Sequence, residues 1–247
     1  MKRFLKISLL SLLAVLLLGS AGFLIWAETP SQPREAAFAA LKSDNQVTVT
    51  EAGKYITFEP AGGSATTGLI FYPGGHVDYR AYAPILHQIA AQGIFVALVP
   101  VRLNLAFFDL EAGAPALTDF PQIKAWATGG HSLGGVASAL FAANHPEIRQ
   151  VIFWASYPAD DSLKNSGIKM LSIYGTEDGG LDHGAKIEQY KAFEPADTVF
   201  TVIQGANHGQ FGDYGPQPGD NPATISPQEQ WQQTTAATVQ FLQKLGQ

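Results

Sequence analysis

The chain has no cysteine. That excludes disulfides, thiolate metal sites and a cysteine nucleophile, while leaving the redox compartment open. Basic residues are scarce as well: 15 Lys and Arg stand against 21 Asp and Glu, a formal net charge of −6. A nucleic-acid surface needs clustered cations to neutralise phosphates, and no basic run exists beyond the first six residues. Internal repeats and low-complexity tracts are also missing, so a solenoid is not indicated. What is present is apolar mass. With 46% hydrophobic residues over 247 positions, the chain can bury one substantial core, consistent with one α/β domain of roughly 220 residues behind an N-terminal extra.

That extra is an uncharged stretch, Ile7 to Ala27, preceded by Lys2, Arg3 and Lys6 and ended by Glu28. Its length suffices to cross a hydrocarbon core as a helix, and the cations before it predict an N-terminus kept in the cytoplasm with the rest outside. The competing reading is a secretory signal peptide, with Ile7 to Leu18 as its apolar region and Gly19-Ser20-Ala21 as a small-residue cleavage site. Phe23-Leu24-Ile25-Trp26 prolongs the apolar run past that site, and Trp26 stands where interfacial aromatics sit, which favours an uncleaved anchor. Both readings deliver the domain across a membrane. Residues 1–28 are therefore anchor or signal, 29–45 a linker with a short helix at Arg34 to Leu41, and 46–247 the α/β domain.

Within that domain, Gln46 to Glu51 and Tyr55 to Glu59 alternate as a hairpin does, around a turn at Ala52-Gly53-Lys54. Pro60 to Thr66 is a small-residue loop. Thr67 to Tyr72 is near-continuously apolar, as buried parallel strands are. A helix is expected over Tyr79 to Ala91, a strand over Ile94 to Val99, and irregular chain over Val101 to Pro121. Strands follow at Ile123 to Thr128, Val151 to Trp154, Lys169 to Tyr174 and Thr198 to Ile203, with helices at Val136 to Ala143 and Ala185 to Phe193. Ser226-Pro227-Gln228-Glu229 opens a final helix with a capping box. Such alternation argues a mostly parallel sheet covered on both faces, whose working residues lie at the carboxyl ends of its strands.

One stretch organises the rest. Gly130-His131-Ser132-Leu133-Gly134 is a Gly-x-Ser-x-Gly pattern set between strand and helix, where it marks a sharp turn that lifts a serine hydroxyl clear of the sheet. Glycines flank it because a Cβ would clash in so tight a reversal. The Leu133 N–H stands beside the hydroxyl at the positive end of the helix. Two later strand ends carry what a serine nucleophile needs: Gly175-Thr176-Glu177-Asp178 and Ala206-Asn207-His208. A serine hydroxyl becomes nucleophilic when a neutral imidazole takes its proton, and a carboxylate orients that imidazole. Ser132, Asp178 and His208 are the expected set, with Glu177, Asp182, Asp160 and Asp161 as alternatives for the acid. His131 is expected under the turn, His87, His145 and His183 away from the chemistry, and His76 near the pocket. A tetrahedral intermediate needs two donors; Leu133 N–H is one, and Pro73-Gly74-Gly75-His76 offers the other through Gly75 or His76.

The Gly-His-Ser-Leu-Gly-Gly turn, Pro73-Gly74-Gly75, Gly175-Thr176-Glu177-Asp178 and Asn207-His208 together resemble the α/β-hydrolase superfamily. More narrowly, they resemble its small, lidless bacterial branch related to dienelactone hydrolases. The resemblance spans about residues 67 to 245 and implies a mostly parallel eight-stranded sheet with helices on both faces and a Ser132–Asp178–His208 triad. Dienelactone enzymes carry cysteine where this chain has Ser132, so their substrate does not carry over. Phe211 to Asp220, a Gly/Pro loop holding Asp213 and Asp220, also resembles the narrower branch; its acids read as solvated rather than as a cation site.

Only about 14 residues separate the strands at Trp154 and Lys169, too few for a helical cap. Phe107, Phe108, Tyr157 and Phe211 are then the expected walls of an open apolar cleft suited to small or medium acyl esters. The resulting expectation is a serine hydrolase acting on a small-molecule acyl substrate, tethered to a membrane through its N-terminal helix, with no metal, cofactor or nucleic-acid partner. The alternatives are a non-catalytic tethered binding protein, or an acyltransferase, amidase or peptidase using the same triad.

Overall fold

A computed structural model describes residues 2–51, 53–63 and 65–244. Ala52 of the expected hairpin turn, Ser64 of the expected loop and residues 245–247 lie outside them. The N-terminal apolar stretch is one unbroken helix, α1 (Lys2–Ala27), running straight through Gly19-Ser20-Ala21. Its 22 residues from Lys6 to Ala27 are long and apolar enough to cross a membrane. A short helix, α2 (Glu35–Ala40), follows.

The hairpin forms as β1 (Val47–Glu51) and β2 (Ile56–Pro60), antiparallel to each other. Then come β3 (Thr67–Tyr72), α3 (Ala83–Ala91) and β4 (Phe95–Leu98). The helix expected from Tyr79 begins instead as a separate 3₁₀ turn, Tyr79–Tyr82, capped by Asp78. Pro84 lacks an N–H and so sits in the first turn of α3. The irregular region holds three 3₁₀ turns and a short helix, α4 (Ala114–Asp119).

The second half alternates more regularly: β5 (Ala125–His131), α5 (Leu133–Asn144), β6 (Ile148–Trp154), β7 (Lys169–Gly175), α6 (Ala185–Tyr190), β8 (Val199–Ile203) and α7 (Pro227–Leu242). Ser226 caps α7 by accepting the Glu229 N–H, as the capping box requires.

The eight strands form one sheet in the order β1-β2-β4-β3-β5-β6-β7-β8. From β4 onward every pairing is parallel; only β2 runs against its neighbours. The continuous apolar runs are explained by burial on both faces. In β3, Leu69 and Phe71 point into one core with α3 and α7, while Ile70 and Tyr72 point into the other with Phe141 of α5. The chain reverses order after β4, so β3 and β5 lie side by side and their carboxyl ends form the crevice in which α/β sheets bind ligands.

Candidate active site

The turn between β5 and α5 is built around Ser132, whose φ of 51° and ψ of −121° few side-chain-bearing residues tolerate. Such a conformation costs on the order of 1–3 kcal/mol and persists only where the surroundings over-determine it. Here they do. Ser132 N–H donates to the Trp154 carbonyl (2.9 Å), and the Ser132 carbonyl accepts from Gly135 N–H (3.0 Å) and from the Ser156 hydroxyl (2.6 Å). A Cβ on Gly130 would run into the backbone of Gly134, and one on Gly134 into the carbonyls of Tyr72 and Pro73. The flanking glycines thus allow helix, turn and β3 to touch.

Asp178 and His208 lie beyond the ends of β7 and β8, both buried. The imidazole Nδ1 stands 2.9 Å from one Asp178 carboxylate oxygen and 3.1 Å from the other, and Leu181 N–H donates to the first at 2.8 Å. This bidentate contact holds the ring with Nε2 left over, and no hydrogen bond to Nε2 forms among the described residues. His208 and Ser132 line the same cleft, about 290 Å³ in volume, together with Leu133, Ser156, Tyr157 and Lys186. A direct Ser132–His208 hydrogen bond is not formed in this resting arrangement; such contacts commonly tighten only once substrate binds.

Other acids are occupied elsewhere. Glu177 accepts from the Thr176 hydroxyl, and Asp160 caps the Ser162 N–H. Asp161 and Asp182 are exposed. Among the histidines, His87 faces Asp44, His145 pairs with Glu111, and His183 Nδ1 bonds the Thr176 carbonyl. His131 is buried beneath the turn, its Nδ1 2.8 Å from the Tyr82 hydroxyl and its ring 4.6 Å from that of His208. Burial, and secondarily the charge His208 would carry, hold His131 well below the ordinary imidazole range, although the His208 backbone works in the opposite direction.

The donors for a developing oxyanion sort themselves by what is already spent. Neither Gly75 N–H nor Leu133 N–H has a partner among the described residues. The two residues are in contact, since a Cβ on Gly75 would lie 2.9 Å from the Leu133 side chain. The expectation for His76 is corrected. Its N–H donates to the Asn104 carbonyl at 2.8 Å, and its ring stacks on Trp26 at 4.2 Å, away from the cleft.

Three expected cleft walls are also corrected. Phe211 is fully buried, stacked 5.6 Å beneath His131 and 6.3 Å from Trp154, so it supports the site from below. Phe107 and Phe108 are about half exposed and do not line the Ser132 cleft; Phe108 meets Phe23 of α1 instead. Tyr157 does line it, stacked on Tyr190 at 4.1 Å.

Residues 68–232 match the family model described as the alpha/beta hydrolase family. The chain belongs to that family. Solved structures of similar fold include TT1662 from Thermus thermophilus (13% identity, TM-score 0.57, 80% of this chain and 98% of that one). Others are a predicted CIB-like hydrolase from Thermoplasma acidophilum (15%, 0.55, 81% and 98%) and Est1E from Butyrivibrio proteoclasticus (12%, 0.55, 81% and 98%). No curated protein sequence matches this chain. As a member of the alpha/beta hydrolase family it is a hydrolase on an eight-stranded sheet.

Sequence reasoning misses several residues that hold this hydrolase site together. Tyr82, buried, accepts Gly74 N–H at 2.9 Å and so pins the loop that carries Gly75. Gln230 of α7 brackets Asn207, accepting its N–H (3.2 Å) and donating to its carbonyl (2.9 Å), just before His208. Gly180 lies against the His208 ring. Asp220 and Asp213, read as solvated acids, each accept a backbone N–H: Asp220 from Gly179 and Gly209, Asp213 from Ala37. These bonds reach 11, 41 and 176 residues along the chain, so no local pattern signals them.

Proposed function

We propose that the protein is a serine hydrolase that cleaves small to medium carboxylic esters or thioesters through an acyl-enzyme on Ser132. The observation carrying this reading is the buried, bidentate contact of Asp178 with His208 Nδ1, on a cleft shared with a strained Ser132. In the reaction, Ser132 Oγ attacks the acyl carbon while His208 Nε2 accepts its proton. The charge that develops on the acyl oxygen is met by Gly75 N–H and Leu133 N–H, whose positions cost no reorganisation at that moment. His208 then gives its proton to the departing alcohol or thiol. Water repeats the sequence, with His208 as base, to release the acid and regenerate the serine. Asp178 keeps the imidazole oriented and stabilises its charged form. A cleft of about 290 Å³ suits a modest acyl group.

The same reading makes α1 an uncleaved membrane anchor that holds the domain outside the cytoplasm, given the cations at its start and the unbroken helix through Gly19-Ser20-Ala21. Labelling by a fluorophosphonate probe tests the chemistry: wild type is expected to label and Ser132→Ala not to. Folded wild-type protein that fails to label would refute the assignment. A panel of p-nitrophenyl esters of graded length then defines the acyl range. The mass of the mature N-terminus tests the anchor, since a start near Gly22 would mean a cleaved signal.

A further inference from the structure

The last four carbonyls of a helix have no partner within it. At the end of α1 each finds one: Leu24 from Glu28 N–H, Ile25 from the Thr29 hydroxyl, Trp26 from Thr29 N–H and from a side chain of the domain, and Ala27 from a second side chain of the domain. His76 Nε2 donates to the Trp26 carbonyl at 2.6 Å, and Asn104 donates to the Ala27 carbonyl at 2.9 Å. His76 and Asn104 both sit at positive φ (57° and 52°), as does Leu103 between them in the socket (56°). The helix is thus received by a strained socket in the domain rather than by a loose linker.

That socket fixes where the rest of the loop lies relative to the helix. Phe108 meets Phe23 edge-on, ring centres 6.1 Å apart. Phe23 is four residues inside the helix end at Ala27, about 6 Å along the axis at the α-helical rise. The 22 residues from Lys6 to Ala27 measure about 33 Å, against a hydrocarbon core of about 30 Å. A ring in contact with Phe23 therefore lies at the edge of the acyl region whenever α1 spans. Phe107 and Phe108 are 48% and 53% exposed, large apolar side chains about half open to the surroundings. Arg102 at the base of the same loop, 78% exposed on its side chain, pairs with Asp109 at 3.6 Å and ties the two ends of the loop together.

We propose that Phe107 and Phe108 seat the domain on the lipid bilayer, inserted at the acyl–headgroup boundary beside the exit of α1. The inference rests on the reading of α1 as a membrane anchor. It commits to lipid as the occupant because the exposed rings are continuous with the apolar face of the helix itself. Leu105, on the same loop, comes within 3.5 Å of where a Gly75 Cβ would be, so the lipid-seated loop also backs the candidate oxyanion donor.

The absence of cysteine makes the test direct. Full-length Phe108→Cys, and separately Phe107→Cys, is labelled with an environment-sensitive fluorophore and reconstituted into phosphatidylethanolamine–phosphatidylglycerol vesicles. Gln122→Cys, on an exposed turn before β5 at the amino ends of the parallel strands, is the reference. Labels at 107 and 108 are expected to emit at shorter wavelength and to be quenched several-fold more strongly by headgroup-proximal nitroxide lipids than the label at 122. Protein that resists alkaline carbonate extraction yet shows the same aqueous emission at all three positions overturns the proposal and leaves the anchor standing. Protein released by carbonate overturns both.

Discussion

Asp220 accepts the Gly209 N–H at 2.7 Å, one residue beyond His208. Its other oxygen accepts Gly179 N–H at 3.0 Å, one residue beyond Asp178. A single carboxylate therefore clips the loop of the acid to the loop of the imidazole, from a segment whose Gln217 lines the Ser132 cleft while Asp220 itself does not. Asp220→Ala should lower kcat by about 10- to 100-fold, because misplacement of a positioned group by a fraction of an ångström is costly. KM should change little, and Asp220→Asn, which keeps one acceptor, should fall between. Equal fluorophosphonate labelling rates for wild type and Asp220→Ala would contradict this role.

Gly180 tests the same geometry from the opposite side. A Cβ there would lie 2.8 Å from His208 Nδ1 and 3.1 Å from two ring carbons. Its backbone is not at positive φ, so alanine is not strained locally. The methyl must instead displace the ring from Asp178, and Gly180→Ala is expected to lose about 100-fold in kcat/KM while keeping the wild-type circular dichroism spectrum. An alanine variant with full activity would mean that the His208–Asp178 contact does not matter to turnover.

Why some of this was legible and some not follows from what each inference needed. Sheet strands such as Thr67 to Tyr72 announce themselves because burial on both faces demands continuous apolar residues. Ser132 and Asp178 each follow such a strand and His208 follows the half-exposed edge strand β8, so their convergence needs only topology. His76 was misread because the fate of its N–H depends on Asn104, 28 residues away and itself at positive φ. Phe211 was misread because a phenylalanine in a Gly/Pro loop can face out or in, and only the ring of His131 decides it. Phe107 and Phe108 lie on a loop whose direction is set by the end of α1, a contact no local pattern encodes.

Glu194 carries a pH signature independent of catalysis. Both of its carboxylate oxygens are buried without hydrogen-bond partners among the described residues. Burial, reinforced by Glu188 and opposed by Lys191, raises its carboxyl from 4.5 to about 7. The folded state therefore holds this proton more tightly than the unfolded chain. Its contribution to stability is full below about pH 4.5 and is lost as pH rises through about 7. Glu194→Gln keeps the shape and removes the charge, so it should be more stable than wild type by about 1–3 kcal/mol at pH 8. At pH 4 the two should unfold at the same denaturant concentration. A constant offset between them across that range would refute the mechanism.

His131 produces the opposite slope. The Tyr82 hydroxyl accepts Gly74 N–H, which leaves its own proton for His131 Nδ1, while His131 Nε2 is buried without a hydrogen-bond partner among the described residues. Burial holds the ring neutral in the folded state, far below the ordinary value of 6.5. The stability this neutrality brings is present above about pH 6.5 and is lost as pH falls, because the unfolded chain binds the proton first. His131→Gln cannot titrate, so its stability relative to wild type should improve steadily from pH 7 to pH 5, whatever fixed packing loss the substitution brings. Tyr82→Phe separates the two parts. It leaves Gly74 N–H unpaired, at a cost of about 1–3 kcal/mol, yet retains the buried imidazole and hence the acid-side slope. A His131→Gln variant that tracks wild type in parallel at every pH would show that the imidazole already charges in the native state.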